Sequence, residues 1–313
     1  MADSRGVTVL NQLMAPERSA VVDWLLEGDP AVRWQVMRDL LDAPETEWIE
    51  EQQRVATEGW GARLLQHQDA EGRWTPRLYG KKWISTTYTM ALLRRMGLPR
   101  DDPRAIKSCL LFLDERMGTT RRSEQCIASM VLALLYWFSV EDERCDPLIG
   151  YLLDRQLPDG GWNCNVSSSH GSFHTSSSAL EALRVCADAM GGDVGEIEAA
   201  EARGREFFLE HRMFRSHRTG EVVSDRLLRL SFPPRWHFDV LRGLDYFWSA
   251  GALTDDRLQD AVEVVLNKRL DDGRWPLQQR YPGETWFEME EVGQPSRWNS
   301  LRAMRVLEAW ERK

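Results

Sequence analysis

HQDAEGRW (67–74), RQLPDGGW (155–162) and KRLDDGRW (268–275) are three versions of one phrase. An acidic residue and a glycine ahead of a tryptophan read as a helix stop followed by a turn. Two versions fit Q-x3-G-x-W, through Gln68, Gly72 and Trp74 and through Gln156, Gly160 and Trp162. The third carries Arg269 in place of the glutamine, ahead of Gly273 and Trp275. Each follows an apolar helical run (ARLL, IGYLL, AVEVVL) and precedes a polar loop and a second apolar helix. Six such second helices can be read: VRWQVMRDLL from Val32, KWISTTYTMALL from Lys82, EQCIASMVLALL from Glu124, FHTSSSALEAL from Phe173, RWHFDVLRGL from Arg235 and RWNSLRAMRVL from Arg297. Several are apolar all round, which marks helices buried on every side. Strand signals are nearly absent. The pattern predicts an all-α chain of six helical hairpins, an α/α toroid (a six-hairpin α/α barrel) with an inner ring inside an outer ring and a funnel at one end. An open superhelical solenoid is the alternative. No composition break marks a linker, so one domain is expected over residues 1–313.

Tryptophan is the commonest aromatic, 14 against 10 Phe and 6 Tyr, as expected if a repeated joint demands it. The net charge of −9 argues against nucleic acid as a partner. Neither a signal peptide nor a membrane span is read, and five widely spaced cysteines suit a reducing cytoplasm better than a disulfide framework.

The repeat breaks at two helix starts. Four of the six begin with a cation and Trp: Arg33-Trp34, Lys82-Trp83, Arg235-Trp236 and Arg297-Trp298. The third begins Glu124-Gln125-Cys126 and the fourth Phe173-His174-Thr175, with Ser123 and Ser172 at the expected N-cap positions. A carboxylate, a thiol and an imidazole at matched heights on neighbouring helices make a three-ligand set for Zn²⁺ with a fourth position open. A helix N-terminus would favour the Cys126 thiolate. Against the site, residues at i and i+2 do not face each other on a regular helix. Cys164 and His170, in NCNVSSSHG, are rival ligands, and a lone Cys beside an apolar helix is ordinary packing, as read for Cys109 and Cys186.

The Q-x3-G-x-W repeats resemble those of squalene-hopene cyclases and related triterpene cyclases over most of the chain. The Asp-x-Asp-Asp acid motif of those cyclases is missing. Protein prenyltransferase β subunits share the toroid that this resemblance implies. Glu124-Gln125-Cys126 is similar to their zinc-binding Asp-x-Cys, and Phe173-His174-Thr175 to their ligand histidine motif. This second resemblance implies zinc on Glu124, Cys126 and His174. It also implies contact with an isoprenoid diphosphate through Arg121, Lys82 and Arg33, although Ile127 stands where that family has a tyrosine.

The remaining cation–Trp residues have two readings. As structure, Trp83, Trp236 and Trp298 wedge between hairpins while Arg235 and Arg297 cap carbonyls. As function, they line an aromatic funnel with a basic rim suited to an isoprenoid or a carbocation. His237 and Asn299 follow two of these tryptophans as candidate substrate contacts, and His237 joins Glu124, Cys126 and His174 as a candidate catalytic residue. The arginine-rich stretch 211–235 reads as a lid or as the partner of the glutamate-rich stretch 284–291.

These observations predict a zinc enzyme, a transferase or lyase, that activates a thiol or water for attack on a bound electrophile. A small anionic or isoprenoid molecule is the expected partner. The alternatives are a metal-free terpene cyclase-like enzyme with Asp239 or Glu124 as acid, and a non-catalytic small-molecule binding protein.

Overall fold

A computed structural model describes residues 15–117, 124–192 and 194–313. Its helices are α1 (Ala15–Leu26), α2 (Pro30–Asp39), α3 (Glu45–Gln53), α4 (Gly59–Leu65), α5 (Thr86–Met96), α6 (Pro103–Asp114), α7 (Gln125–Trp137), α8 (Asp146–Asp154), α9 (Phe173–Met190), α10 (Gly195–Glu210), α11 (Val240–Ser249), α12 (Gln259–Leu266) and α13 (Arg297–Glu311). Among the described residues no strand forms, and extended pairing is confined to isolated bridges such as Arg215 with Val222. The chain is therefore all-α. No helix among the described residues is long and apolar enough to cross a membrane.

The repeated phrase builds one joint three times. Gly72, Gly160 and Gly273 take φ of +93°, +83° and +82°, the left-handed region that glycine enters without a Cβ clash. The tryptophan that follows turns back into the core. Its indole N–H donates to the carbonyl of a residue at or near the end of the preceding helix: Trp74 to Leu64 at 2.7 Å, Trp162 to Leu152 at 2.8 Å, Trp275 to Val265 at 2.7 Å. Its backbone N–H goes to a hydroxyl on the following helix, from Thr86, Ser176 or Ser300. One side chain thus pins both arms of a hairpin, and the indole is satisfied where it is buried.

The first residue of the phrase ties each hairpin to the next. Gln68 donates to Ser108 on α6, and Gln156 to Ala200 O on α10. Gln156 also donates to Gly160 O, and Arg269 makes the equivalent bond to Gly273 O. Arg269 then reaches Glu17 on α1 at 3.3 Å, so the last joint points at the first described helix.

The contacts among the second helices run in chain order. α5 packs on α7, α7 on α9, α9 on α11 and α11 on α13. Between α2 and α5, Trp34 Nε1 donates to Met96 O and Gln35 to Arg95 O. α13 packs on α2, where Arg305 bonds Gln35 and Asp39. Asp29, Asp102, Asp239 and Ser296 cap α2, α6, α11 and α13 through their side chains.

The helix starts differ from the sequence reading, and the difference sorts the cation–Trp pairs. Arg33 and Trp34 lie inside α2, and Arg297 and Trp298 open α13. Lys82-Trp83 and Arg235-Trp236 lie in the loops before α5 and α11, which begin only at Thr86 and Val240. The four pairs therefore do not share one height.

Candidate functional site

Two adjoining cavities, of about 410 and 880 Å³, sit at the N-terminal ends of α7 and α9 and beside the loops before α5 and α11. They share Lys82, Ser172, His174 and Trp236.

The smaller cavity carries the thiols. Glu124 is the N-cap residue of α7 in an extended conformation, φ −66° and ψ 134°, not a member of the helix. This removes the i, i+2 objection. Outside the helix its side chain turns toward the first turn, and Oε2 lies 3.7 Å from Cys126 Sγ. Cys164 arrives from the loop after Trp162. Asp159 holds that loop by accepting from Gly161 N at 3.0 Å and Gly171 N at 2.7 Å. A Cβ on Gly161 would fall 2.7 Å from Gly171 Cα, so the loop closes only with glycine there. Cys164 N donates to Thr175 Oγ1, and that hydroxyl donates back to Cys164 Sγ at 3.4 Å. Ligand atoms of Glu124, Cys126 and Cys164 all lie within 4.8 Å of one another, a group of donors that could hold a metal ion.

The amide at the start of α7 points at Cys164, because Cys126 N donates to Cys164 Sγ at 3.3 Å. The neighbouring Cys126 thiol, whose proton is directed at Glu124 Oε2, lowers the Cys164 pKa. Burial opposes the shift, and the Thr175 hydroxyl and the Cys126 amide reinforce it. The proximity of Cys164, then burial, pushes Cys126 up. The helix N-terminus therefore favours a thiolate at Cys164, whereas the sequence reading assigned it to Cys126.

His174 borders both cavities but lies outside the donor group. Its Nδ1 accepts the backbone N–H of Phe238 at 2.8 Å. Burial, then the charge of Arg242, lowers its pKa to about 4, so the ring is neutral with its proton on Nε2. A ligating histidine turns a lone pair to the metal and donates through its other nitrogen. The bond to Phe238 prescribes the reverse, and the donor atom grouped with those of Glu124 and Cys126 is the Cys164 sulfur. His170 is exposed and outside the group as well.

The larger cavity is walled by aromatics. His237 stacks between Trp236 and Tyr281, with centroids 3.6 Å away on each side. Trp83 meets His237 edge-on and is fixed by its indole bond to Tyr281 O. Burial, followed by His174 and Lys82, lowers the His237 pKa to about 3. Lys82 is exposed, with Nζ 5.5 Å from both the Trp83 and Trp236 rings. The 211–235 stretch supplies a wall through residues such as His211, His217 and Arg226. Among the described residues it forms no direct ion pair with the glutamates of 284–291, although Arg235 feels the charge of Glu288: Arg215 takes Asp260, Lys81 takes Glu284, Arg280 takes Glu288, and Glu290 accepts from the first amides of α13.

The other expected substrate contacts are built into the scaffold. Arg33 bonds Glu51 and Gly28 O. Arg297 bonds Trp24 O and lies over its ring. Arg235 packs over Trp83, away from both cavities, and burial lowers its pKa to about 10. Trp298 stacks on Phe232 at 4.2 Å, and Asn299 donates to Pro276 O. Asp239 is fully buried and spends its oxygens on Ser231 and the start of α11, so it is a cap, not a cavity acid. Arg121 and Ser123 lie outside the described residues. Ser172 holds the N-cap position of α9 without a side-chain bond.

Tyr79, Asn163 and Tyr281 line the site without having been singled out in the sequence. They carry a shared signal. Each lies between a turn tryptophan and the next helix, as do Lys82, Trp83 and Cys164. No protein-family model matches the chain, and a search of curated proteins finds no match.

Proposed function

We propose that the helices close into an α/α toroid, and that Glu124, Cys126 and Cys164 hold a zinc ion at the mouth of its inner ring. The chain is then an enzyme that activates a thiol or water for attack on a bound electrophile. An isoprenoid diphosphate is the electrophile that the prenyltransferase resemblance suggests. Closure is supported by the chain-order contacts and by the bonds from Arg269, just after α12, and from α13 back to α1 and α2.

One observation carries the metal reading. Tetrahedral bonds of about 2.3 Å to sulfur and about 2.1 Å to oxygen separate the two donors by about 3.6 Å. Glu124 Oε2 and Cys126 Sγ are 3.7 Å apart, with Cys164 in the same group. Two thiolates and a carboxylate suit zinc and leave a fourth position for substrate. A bound zinc ion would supply Lewis acidity and lower the pKa of the incoming nucleophile. The rest falls to the chain. Thr175 and the Cys126 amide hold Cys164 in its thiolate form. Trp83, Trp236, His237 and Tyr281 enclose an apolar group and keep water from it. Lys82 attracts an anionic end. His174 offers a neutral Nε2–H donor.

A second reading rests on the hydrogen bonds that converge on Cys164. A thiolate so held can itself attack an electrophile without a metal. Elemental analysis of zinc-loaded protein after exhaustive dialysis decides between them. The metal reading expects about one zinc per chain in wild type and His174→Ala, and none in Cys126→Ala or Cys164→Ala. Metal absent from wild type, or kept in both cysteine variants, overturns it. Zinc-dependent release of pyrophosphate from an isoprenoid diphosphate plus a small thiol tests the reaction; no release leaves the metal site without this chemistry.

A further inference from the structure

A separate cavity of about 300 Å³ opens at the other end of the same helices. Its walls come from α2, the C-terminal halves of α5, α9 and α11, the end of α7 and the first two-thirds of α13, with Phe232 from the loop before α11. Along α7 the distance from Cys126 to Trp137 is about 16 Å, so the two sites are distinct.

Among the described residues seven arginines and three acids line this cavity, in a chain of net charge −9. The pairing leaves a surplus of cations. Glu181 receives Arg95 at 2.7 Å and Arg242 at 2.7 Å, and Arg94 approaches it only to 3.6 Å. Asp245 is shared by Arg305 at 2.6 Å and Arg302 at 3.3 Å. The Arg302 side chain is 3% exposed, yet its Nη2 has no hydrogen-bond partner among the described residues. Burial, followed by the neighbouring Arg95, pushes Arg94 down to about 10.

Helix ends explain part of this. C-terminal carbonyls favour cations, which accounts for Arg38, Arg94 and Arg95 in the last turns of α2 and α5. They do not account for Arg302, which lies in the second turn of α13 with a buried N–H left over. Trp34, Trp137 and Trp248 lie under Arg38, Arg100 and Arg305, each 4.6 Å from ring to guanidinium, and fix the planes of those groups. A buried, aromatic-backed surplus of forked donors matches the geometry of phosphate and carboxylate oxygens.

We propose that this cavity binds a small multivalent oxyanion, held by Arg94 and Arg95 beside the buried Arg302. Phosphoryl compounds and polycarboxylates share that chemistry, and the volume suits a small molecule. The site stands independently of any metal at the cysteines.

Calorimetric titration at low salt with inorganic pyrophosphate, and separately with citrate, tests it on wild type, Arg94→Gln and Lys82→Ala. The expected result is saturable binding of at least one anion, weakened at least about tenfold in Arg94→Gln. Preference for pyrophosphate or citrate assigns the ligand to the phosphoryl or carboxylate class. Failure of both anions to bind at millimolar concentration overturns the proposal. So does loss in Lys82→Ala with retention in Arg94→Gln, which would move the anion to the cysteine end. Should Arg94→Gln fail to fold by circular dichroism, wild-type crystals soaked in tungstate give the answer: an anomalous peak between Arg94 and Arg302 supports the site, and none there refutes it.

Discussion

The backbone N–H of Cys126 donates to Cys164 Sγ across 3.3 Å, while the Cys126 thiol faces Glu124 Oε2 at 3.7 Å. One cysteine therefore holds its proton so that the other can lose it. In chelator-treated protein at pH 7, iodoacetamide should modify Cys164 well before Cys126, because the thiolate is the reactive species. Cys109, Cys145 and Cys186 are buried and should label only on unfolding. Peptide mapping of a time course checks the order, and Cys126 labelled first would reverse the assignment.

The joint at Trp162 should be intolerant of a side chain at its glycine. A Cβ on Gly160 would stand 2.2 Å from Arg203 O, and φ is +83°. Gly160→Ala should destabilise by at least about 2 kcal/mol from backbone strain and displacement of α10. Urea unfolding measures it; a midpoint equal to wild type would mean that the turn relaxes freely.

Arg269→Gln should be nearly silent. Gln156 makes the same bond to its turn glycine carbonyl, so the substitution removes an ion pair with the exposed Glu17 carboxylate and a distant approach of the guanidinium to the Trp275 ring. Such pairs contribute about 0–1 kcal/mol. Thermal unfolding within a few degrees of wild type is expected, and a large drop would show that Glu17 matters more than its exposure implies.

Acid should loosen the arginine cavity before neutral conditions do. Burial alone would raise the Glu181 carboxyl, but Arg242, Arg95 and Arg94 outweigh it and hold it well below its ordinary 4.5. A folded pKa below the unfolded one gives stability that is complete above about pH 4.5 and lost as pH falls further. Unfolding measured from pH 7 to pH 3 should show this decline, and Glu181→Gln, already less stable at neutral pH, should flatten it. An equally steep acid limb in the variant would place the sensitive carboxylate elsewhere.

The joints were legible because Gly-x-Trp records a local requirement: a left-handed turn, then an indole within reach of the helix just ended. The break at Glu124-Cys126 was legible as an interruption of that repeat. What a sequence does not record is register. Arg33-Trp34 and Lys82-Trp83 read alike, yet one pair is inside a helix and the other in the loop before one, so Lys82 and Trp83 line the cavities beside the cysteines and Arg33 and Trp34 do not. His174 looked like a ligand because the backbone amide of Phe238, which takes its Nδ1, belongs to a different hairpin. The arginine cavity was invisible for the same reason. Arg94, Glu181, Asp245 and Arg302 belong to four separate helices, and nothing in the sequence brings them together.

The bond from Arg18 to Glu308 spans 290 residues, and Arg305 reaches Asp39 across 266. These bonds join the first described helices to emerge during synthesis with the last. Until α13 has left the ribosome, α1 and α2 carry a face whose partner does not yet exist. The nascent chain must keep that apolar face from other strangers for the whole of translation, and the ordering entropy of the early helices is recovered only at the final docking step.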